Sequence, residues 1–181
     1  MKEISLHILD VVENGITAGA DLITLWVDEA VDRNLLSVAI SDNGRGLSAE
    51  QQAKVSDPFF TSRTTRRVGM GLSLLKAAAE RCGGGFSFAS EEGKGSRVTC
   101  SFLYRHIDRA PLGDMAMTLE VLMAGYPEVD FFYCHLYNGR EFEFDTRKIR
   151  QELEGVPLNE PAVLRHLKAG IEEELERLKE R

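Results

Sequence analysis

The chain has 181 residues, of which 43% are hydrophobic and 28% charged, and its formal net charge is −7. This composition is ordinary for a globular protein with a substantial core. The negative charge argues against nucleic-acid binding, which depends on Lys and Arg, and no apolar stretch predicts a membrane span. With no signal-peptide pattern and three cysteines far apart, we expect reduced thiols and a cytoplasmic location.

Hydrophobic periodicity and turn residues predict alternating helices and strands up to Tyr104. In chain order these are a helix over 3–18, strands over 20–30 and 34–42, a short helix after a capping box at Ser48 and Gln51, a long loop over 57–71, a helix over 72–82, and strands over 86–90 and 97–104. This order predicts a two-layer α/β (α+β) sandwich.

The remaining residues predict a small α+β C-terminal extension. Asp114 can cap a helix that runs to Ala124, Asn138-Gly139 is typical of a hairpin turn, and Pro161 can begin a final amphipathic helix. We therefore divide the chain into a domain over 1–106 and a region over 107–181. The second region contains no chemical motif, and we expect it to dock a partner or to form a homo-oligomer.

The first predicted helix has a polar face. His7, Asp10 and Asn14 are spaced so that they share this face. An amide oxygen at Asn14 suits Mg²⁺, and a carboxylate at Asp10 can accept a proton from a water molecule. The residues alone leave open a solvated helix face, and His7 is interpreted as a neighbour of the site or a buried polar contact.

The stretch Asp42-Asn-Gly-Arg-Gly46 follows an apolar strand. A carboxylate at the end of that strand can accept a hydrogen bond from an exocyclic amine such as that of adenine. Gly44 and Gly46 permit the backbone to approach a flat ring closely. A simple turn closed by the Asp42 side chain explains the same residues equally well.

Gly69-Met70-Gly71-Leu72 begins a predicted helix directly after a basic loop that contains Arg63, Arg66 and Arg67. Backbone N–H groups at a helix N-terminus bind phosphate oxygens, and arginines can close over them as a lid. A surface loop in contact only with water is the alternative. The spacing fits neither a P-loop nor the dinucleotide-binding fingerprint.

Taken together and in order, these stretches resemble the conserved motifs of the GHKL superfamily. The matching stretches are LDVVENGITAGA, DNGRG, DPFFTSRTTRRVGMGLSLLKAAAERCGG and EEGKGSRVTCSF. The superfamily includes DNA gyrase B subunits, heat-shock chaperone ATPases, sensor histidine kinases and MutL. The resemblance covers about residues 4–104, and it implies a Bergerat-type ATP-binding fold with ATP and Mg²⁺ as ligands.

The resemblance also implies roles for individual residues. Asn14 would coordinate the Mg²⁺ that bridges the triphosphate, and Asp10 holds the position of the carboxylate that activates water. Asp42 would bind the adenine amine, with Gly44 and Gly46 shaping that wall of the pocket.

Further along the chain, the segment from Gly69 through Leu72 would present its amides to the phosphates. Arg63 lies where kinases often place a basic lid residue, and Ser96 lies where the family often has Thr near the adenine.

The sequence departs from the superfamily pattern in three ways. Asp10 replaces the Glu of many relatives, so hydrolysis is expected to be weak. A first strand found in many kinases is missing before the first helix or supplied by a partner. No phosphoacceptor helix precedes the ATP-binding motifs, so we do not expect a complete sensor kinase. His106, in the segment HIDRAPL, loosely echoes a phosphoacceptor pattern, but a turn between the two regions is the favoured interpretation.

The expected function is that of an ATP–Mg²⁺-binding, histidine-kinase-like ATPase domain that phosphorylates or regulates a partner protein in signalling. The alternative is a regulatory or clamp-type ATPase whose lid closure controls partner binding without phosphoryl transfer. A structural adaptor that has lost nucleotide binding is a third possibility, which the presence of Asn14, Asp42 and the glycines disfavours. Trp26 and the aromatic residues of 131–137 are expected in the core.

Overall fold

The computed structural model describes residues 3–48, 50 and 70–180. The helices among them are α1 (Ile4–Thr17), α2 (Met70–Arg81), α3 (Met115–Gly125), α4 (Thr146–Glu152) and α5 (Pro161–Lys179). The strands are β1 (Leu22–Ala30), β2 (Leu35–Asp42), β3 (Phe86–Glu91), β4 (Gly95–Leu103), β5 (Asp130–Tyr137) and β6 (Arg140–Asp145). These elements confirm the predicted order, although α2 begins two residues before the predicted start. The short helix predicted after Ser48 and most of the predicted loop lie outside the described residues.

The six strands form one sheet in the order β3-β4-β2-β1-β5-β6. All neighbouring strands are antiparallel except β1 and β5, which run parallel. At the centre of the sheet, Val27 of β1 pairs with Val38 of β2 on one side and with His135 of β5 on the other. This topology places the end of β2 beside the beginning of β4.

Helices cover one face of the sheet, and the core lies between the two layers. Along the central strands, alternate residues are buried, as a half-covered sheet requires. In β1 these are Ile23, Leu25 and Val27, each no more than 1% exposed. Trp26 lies between them in sequence and therefore points to the other face, where it is 44% exposed. The expectation that Trp26 belongs to the core is therefore wrong.

Helix α1 provides the central part of the helical layer. Ile4, Ile8, Val11 and Val12 are buried on the side that faces the sheet, which follows from their helical spacing. The helix ends because Gly19 adopts a positive φ of 85°, a conformation that stops helices at little steric cost. Its polar face is left to carry the predicted site residues.

The residues after 106 continue the same sheet and the same core. Asp114 caps α3 by accepting a hydrogen bond from the Met117 N–H at 2.8 Å, as predicted. The predicted hairpin turn is also confirmed, with φ of 48° at Asn138 and 84° at Gly139. Because β5 pairs with β1, the two predicted regions share one sheet. The division of the chain into two domains at residue 106 stays a prediction.

A search of the described residues for a helix both long enough and apolar enough to cross a lipid bilayer finds none.

Candidate functional site

Helix α1 approaches the end of β2 most closely at Gly15 and Asp42. A Cβ atom at Gly15 would lie 2.8 Å from the Asp42 Cβ and 3.2 Å from its Oδ2. No real side chain tolerates such a distance, so only glycine allows this contact. Gly15 directly follows Asn14, and the contact therefore brings the predicted adenine-binding carboxylate against the turn of α1 that carries the predicted metal-binding residue.

The Asp42 carboxylate is half-buried and held by its own loop. Its Oδ1 accepts a hydrogen bond from the Gly44 N–H at 2.9 Å. Burial raises the pKa of Asp42 above its usual value, while hydrogen bonds from the Gly44 and Ser96 backbone oppose that shift. The turn closed by Asp42, which the sequence left as an alternative to a binding site, therefore exists. It orients the carboxylate, and a carboxylate held in this way can still accept further hydrogen bonds.

Asn43 fixes the loop after β2 to the turn between α1 and β1. Its Oδ1 accepts hydrogen bonds from the Asp21 and Leu22 N–H groups, each at 3.0 Å. The loop gains a further link where the Arg45 N–H donates to the Ala18 carbonyl at 2.9 Å. The sequence interpretation missed Asn43, although an Asn-Gly pair after a strand is a recognised turn signal.

The glycines of the loop and of the β3–β4 turn allow their backbones to touch. Gly46 has a φ of 64°, and a Cβ there would overlap the Glu91 carbonyl. Gly95 has a φ of 98°, and a Cβ there would overlap the carbonyl of Asp42. These two positions require glycine for both their conformation and their contacts. The contacts fix the loop after β2 against the β3–β4 turn, and the role of Gly46 in shaping a pocket wall stays a prediction.

Ser96 lies directly opposite Asp42 in the β2–β4 register. Its Oγ is 2.9 Å from the Oγ of Ser90, and the Ser90 hydroxyl also accepts a hydrogen bond from the Leu47 N–H at 2.8 Å. Ser90 thus ties β3 to the loop after β2. The sequence interpretation found Ser96 but missed Ser90, because nothing in the local pattern distinguishes Ser90 from other strand residues.

Asp10 faces the beginning of α2. A Cβ at Gly71 would lie 3.4 Å from the Asp10 Cβ and 3.6 Å from its Oδ2, so the carboxylate lies against the first turn of that helix. Asn14 is one turn further along α1, with an exposed side chain. Of the predicted polar face of α1, Asp10 therefore lies against the start of α2 and Asn14 is exposed, while His7 is buried.

The N-terminus of α2 is described only from its first residue, Met70. The first-turn N–H groups of a helix, here those of Met70, Gly71 and Leu72, have no partner within the helix. The Leu72 side chain is half-buried and packs against the hydrophobic core. The other predicted residues of this part, Gly69 and Arg63, lie outside the described residues, as do Arg66 and Arg67.

The two histidines singled out from the sequence differ in their surroundings. His7 is only 6% exposed, and its Nδ1 has no hydrogen-bond partner among the described residues. Burial lowers the pKa of His7. His106 is half-buried, and its Nδ1 accepts a hydrogen bond from the Asp108 N–H at 3.1 Å. That bond makes His106 part of a turn after β4.

Residues 2–106 match the family model described as histidine kinase-, DNA gyrase B- and HSP90-like ATPase. The chain belongs to this ATPase family. The matched segment contains every predicted site residue, and within it the loop after β2, the α1 polar face and the start of α2 lie around one region of the fold.

Similar proteins include several sensor kinases. A sensor-like histidine kinase of Rhizobium meliloti, described as uncharacterized, is 39% identical over 77 residues, which are 40% of this chain and 15% of that protein. The sensor histidine kinase ZraS of Escherichia coli is 34% identical over 64 residues, or 35% of this chain and 14% of that protein. The chain thus spans about one seventh of the length of these relatives.

Solved structures share the fold at low sequence identity. The Aquifex aeolicus MutL ATPase domain, in complex with ADP, has a TM-score of 0.51 and 16% identity, covering 85% of this chain and 68% of that one. The N-terminal domain of a DNA repair protein has a TM-score of 0.55 and 16% identity, covering 79% of this chain and 52% of that one. These similarities extend past residue 106 and confirm the predicted two-layer ATPase fold.

Proposed function

We propose that this chain binds ATP in the region between α1, the end of β2 and the start of α2, and that it phosphorylates or regulates a partner protein. The contact between Gly15 and Asp42 carries the proposal, because it sets the proposed acceptor for the adenine amine against the turn of α1 that also presents the exposed side chain of Asn14. The family match supports ATP as the nucleotide. Residues 1–106 would form the nucleotide-binding module.

The residues present fit a magnesium ion. Asn14 offers an exposed amide oxygen, and Asp10 offers a half-buried carboxylate one turn away; oxygen donors of these types are the ones that Mg²⁺ prefers. A bound ion would supply neutralisation of phosphate charge. For the chain itself, the proposed roles are that Asn14 holds the ion, Asp42 orients the base, and the first-turn amides of α2 receive phosphate oxygens.

The reach of the Asp10 side chain bears on whether bound ATP would be hydrolysed, transferred to a partner or only held. Its carboxylate lies against the first turn of α2, close to Gly71, and it is one methylene shorter than the Glu of many relatives. A base in this position reaches a water molecule less easily. We therefore propose weak intrinsic hydrolysis, with the bound nucleotide serving phosphoryl transfer to a protein. The alternative is that ATP binding only changes the affinity for a partner, and the short Asp10 side chain favours this alternative as well.

Binding is tested by titration calorimetry with a non-hydrolysable ATP analogue, with and without MgCl₂. We expect Asp42→Asn to weaken binding at least about tenfold with or without the ion, since one charge-assisted hydrogen bond is worth 1.5–3 kcal/mol, about 10- to 150-fold. We expect Asn14→Ala to weaken it only in the presence of Mg²⁺. Asn159→Ala, at an exposed turn, is the matched control. Wild-type protein that fails to bind would refute the proposal.

Transfer is tested separately with γ-labelled ATP, Mg²⁺ and candidate partner proteins. Label that appears on a partner and is lost in both site variants supports phosphorylation. Nucleotide binding that alters the affinity for a partner, without any label transfer, supports the regulatory alternative instead.

A further inference from the structure

Strand β6 forms an open edge of the sheet. The sheet order places it at one end, with β5 as its only neighbour among the described strands. Tyr137 and Arg140 flank the two-residue turn and form the hydrogen-bonded pair that closes the hairpin, so hydrogen-bonded and non-hydrogen-bonded pairs alternate from there. Glu141 and Glu143 occupy non-hydrogen-bonded pairs opposite Leu136 and Cys134. Their backbone N–H and C=O groups therefore point away from β5.

This edge is not closed by another part of the described chain. No backbone hydrogen bond reaches Glu141 or Glu143 from a described residue outside the hairpin. Natural proteins usually protect such an edge, because it can pair with any extended chain. Among the described residues, what protects it here is the charge of these two side chains, which are exposed.

The outer side of the edge is negatively charged. The side-chain ligand atoms of Cys134, Glu141 and Glu143 lie within 4.8 Å of one another. Burial raises the pKa of the Cys134 thiol to about 11, with further contributions from the charges of Glu141, Glu143 and Asp28. The thiol therefore stays neutral and adds no charge of its own, while the carboxylates favour cations on this side.

The inner side of the edge opens into a groove of about 600 Å³ between β6 and the end of α5. Phe142 and Leu178 supply apolar walls, and the charged residues Glu174, Arg177 and Glu180 complete its side toward the end of the chain. The Nη1 of Arg140, which also lines the groove, is buried and has no hydrogen-bond partner among the described residues. A buried donor without a partner is unfavourable, and a carbonyl or carboxylate entering the groove would remove this penalty.

We propose that the β6 edge binds an extended segment of a partner protein in which basic and apolar side chains alternate. Side chains of an added strand alternate between the two faces of a sheet. The basic ones would lie beside Glu141 and Glu143, and the apolar ones would enter the groove beside Phe142. A carbonyl or carboxylate of the segment would accept a hydrogen bond from Arg140.

A second copy of this chain fits the edge poorly. Two β6 strands paired with each other would bring the Glu141 and Glu143 side chains of one copy next to those of the other. Like charges opposite each other destabilise strand pairing. The edge lies three strands away from β2, or roughly 14 Å at the usual strand spacing, so the proposal does not depend on nucleotide binding.

The proposal is tested with two fluorescent octapeptides, one alternating Lys with Val and the other alternating Glu with Val, by fluorescence anisotropy. We expect the Lys peptide to bind wild-type protein at least about tenfold more tightly than the Glu peptide, which corresponds to 1.4 kcal/mol. The double variant Glu141→Lys with Glu143→Lys should reverse this preference. The double variant Glu172→Lys with Glu176→Lys makes the same change in net charge on exposed positions of α5, and it should keep the wild-type preference.

Glu143→Pro provides a second test, because it removes an N–H that points away from β5 and leaves the β5–β6 hydrogen bonds in place. We expect it to abolish peptide binding while the circular dichroism spectrum stays unchanged. Asp42→Asn should bind the Lys peptide as wild type does, which separates this surface from the nucleotide site. Equal binding of both peptides by wild-type protein, or an equal loss of preference in the two double variants, would overturn the proposal.

Discussion

Gly15 and Asp42 are in contact at the point where α1 crosses the end of β2. The Cβ that any other residue would place at Gly15 falls 2.8 Å from the Cβ of Asp42 and 3.1 Å from its Cγ. Glycine in the middle of a helix is destabilising by roughly 0.5–1 kcal/mol relative to alanine. The chain therefore keeps a less favourable helix residue at the position where the Asp42 side chain packs against α1.

Replacing Gly15 by alanine should harm the site more than the fold. We expect Gly15→Ala to weaken binding of an ATP analogue at least about tenfold, because the Asp42 side chain must move. Overpacking lowers the free energy of unfolding by roughly 1–3 kcal/mol. The better helix propensity of alanine offsets up to about 1 kcal/mol of this loss. Titration calorimetry and urea unfolding measure the two effects.

Gly170→Ala is the matched control for this substitution. Gly170 also lies inside a helix, α5, but a Cβ there meets no atom within 4 Å. We expect this variant to be more stable by about 1 kcal/mol and to bind nucleotide as wild type does. If Gly15→Ala behaved like Gly170→Ala in both measurements, the contact with Asp42 would contribute nothing to nucleotide binding.

The raised pKa of Asp42 predicts a dependence of stability on pH. Burial is the main cause of the shift, so the folded chain holds the Asp42 proton more tightly than the unfolded chain does. The protonated Asp42 carboxyl group therefore stabilises the folded chain fully below the pKa of the unfolded chain. This stabilisation is lost as pH rises through the pKa of the folded chain. Relative to Asp42→Asn, the free energy of unfolding of wild type should fall as pH rises from below the ordinary aspartate pKa of about 4 through the raised pKa of the folded chain.

Urea unfolding of the two nucleotide-free proteins across this range measures the effect. At neutral pH the variant should be at least as stable as wild type while binding nucleotide less well. Such a result would show that the charged carboxylate serves the ligand at the expense of the fold. A difference between the two proteins that does not change with pH would contradict the assignment.

Much of this fold follows from local patterns in the sequence. The spacing of Asp10 and Asn14 on α1 predicts their shared surface, because helix geometry alone determines it. The face of Trp26 could also have been predicted, since strand alternation separates it from Leu25 and Val27. The prediction that Trp26 lies in the core relied on its hydrophobicity and ignored this alternation.

Other features depend on contacts between distant parts of the chain. The parallel pairing of β5 with β1 follows from no local signal, because either edge of a sheet can accept a further strand. The contact between Gly15 and Asp42 likewise forms only when α1 packs on the sheet. A glycine inside a helical pattern can indicate a packing or functional reason, but it does not identify the residue that the glycine would meet.

Two glycines with positive φ, Gly46 in the loop after β2 and Gly93 in the β3–β4 turn, separate the effect of backbone strain from that of packing. Gly46 and Gly93 both have positive φ, 64° and 79°, but only a Cβ at Gly46 would overlap another residue, Glu91. We expect Gly93→Ala to lower the free energy of unfolding by about 1 kcal/mol, from strain alone. Gly46→Ala should lower it by about 3 kcal/mol or more and abolish nucleotide binding. Equal effects in urea unfolding would show that the loop can move away from Glu91.

A buried polar cluster at the opposite end of β1 links the sheet to the end of α5. Glu29 is 4% exposed. Its carboxylate contacts the His135 Nε2 at 3.0 Å, the Tyr104 hydroxyl at 3.0 Å and the Lys179 Nζ at 3.4 Å. Burial alone would raise the pKa of Glu29, but the hydrogen bond from His135 and the charge of Lys179, with smaller effects from Tyr104, lower it to about 2.

A lowered pKa means that Glu29 stabilises the fold above its unfolded pKa, and that this stabilisation is lost as pH falls toward about 2. Glu29→Gln should therefore lower the free energy of unfolding at neutral pH by on the order of 2 kcal/mol, and the difference from wild type should shrink below about pH 4. Lys179→Met removes one of the charges that Glu29 contacts and should show a smaller loss with the same pH trend. Lys148→Met, at an exposed position of α4, controls for the change in net charge. A Glu29→Gln effect that stayed constant from neutral to acid pH would mean that packing, rather than charge, accounts for the role of this residue.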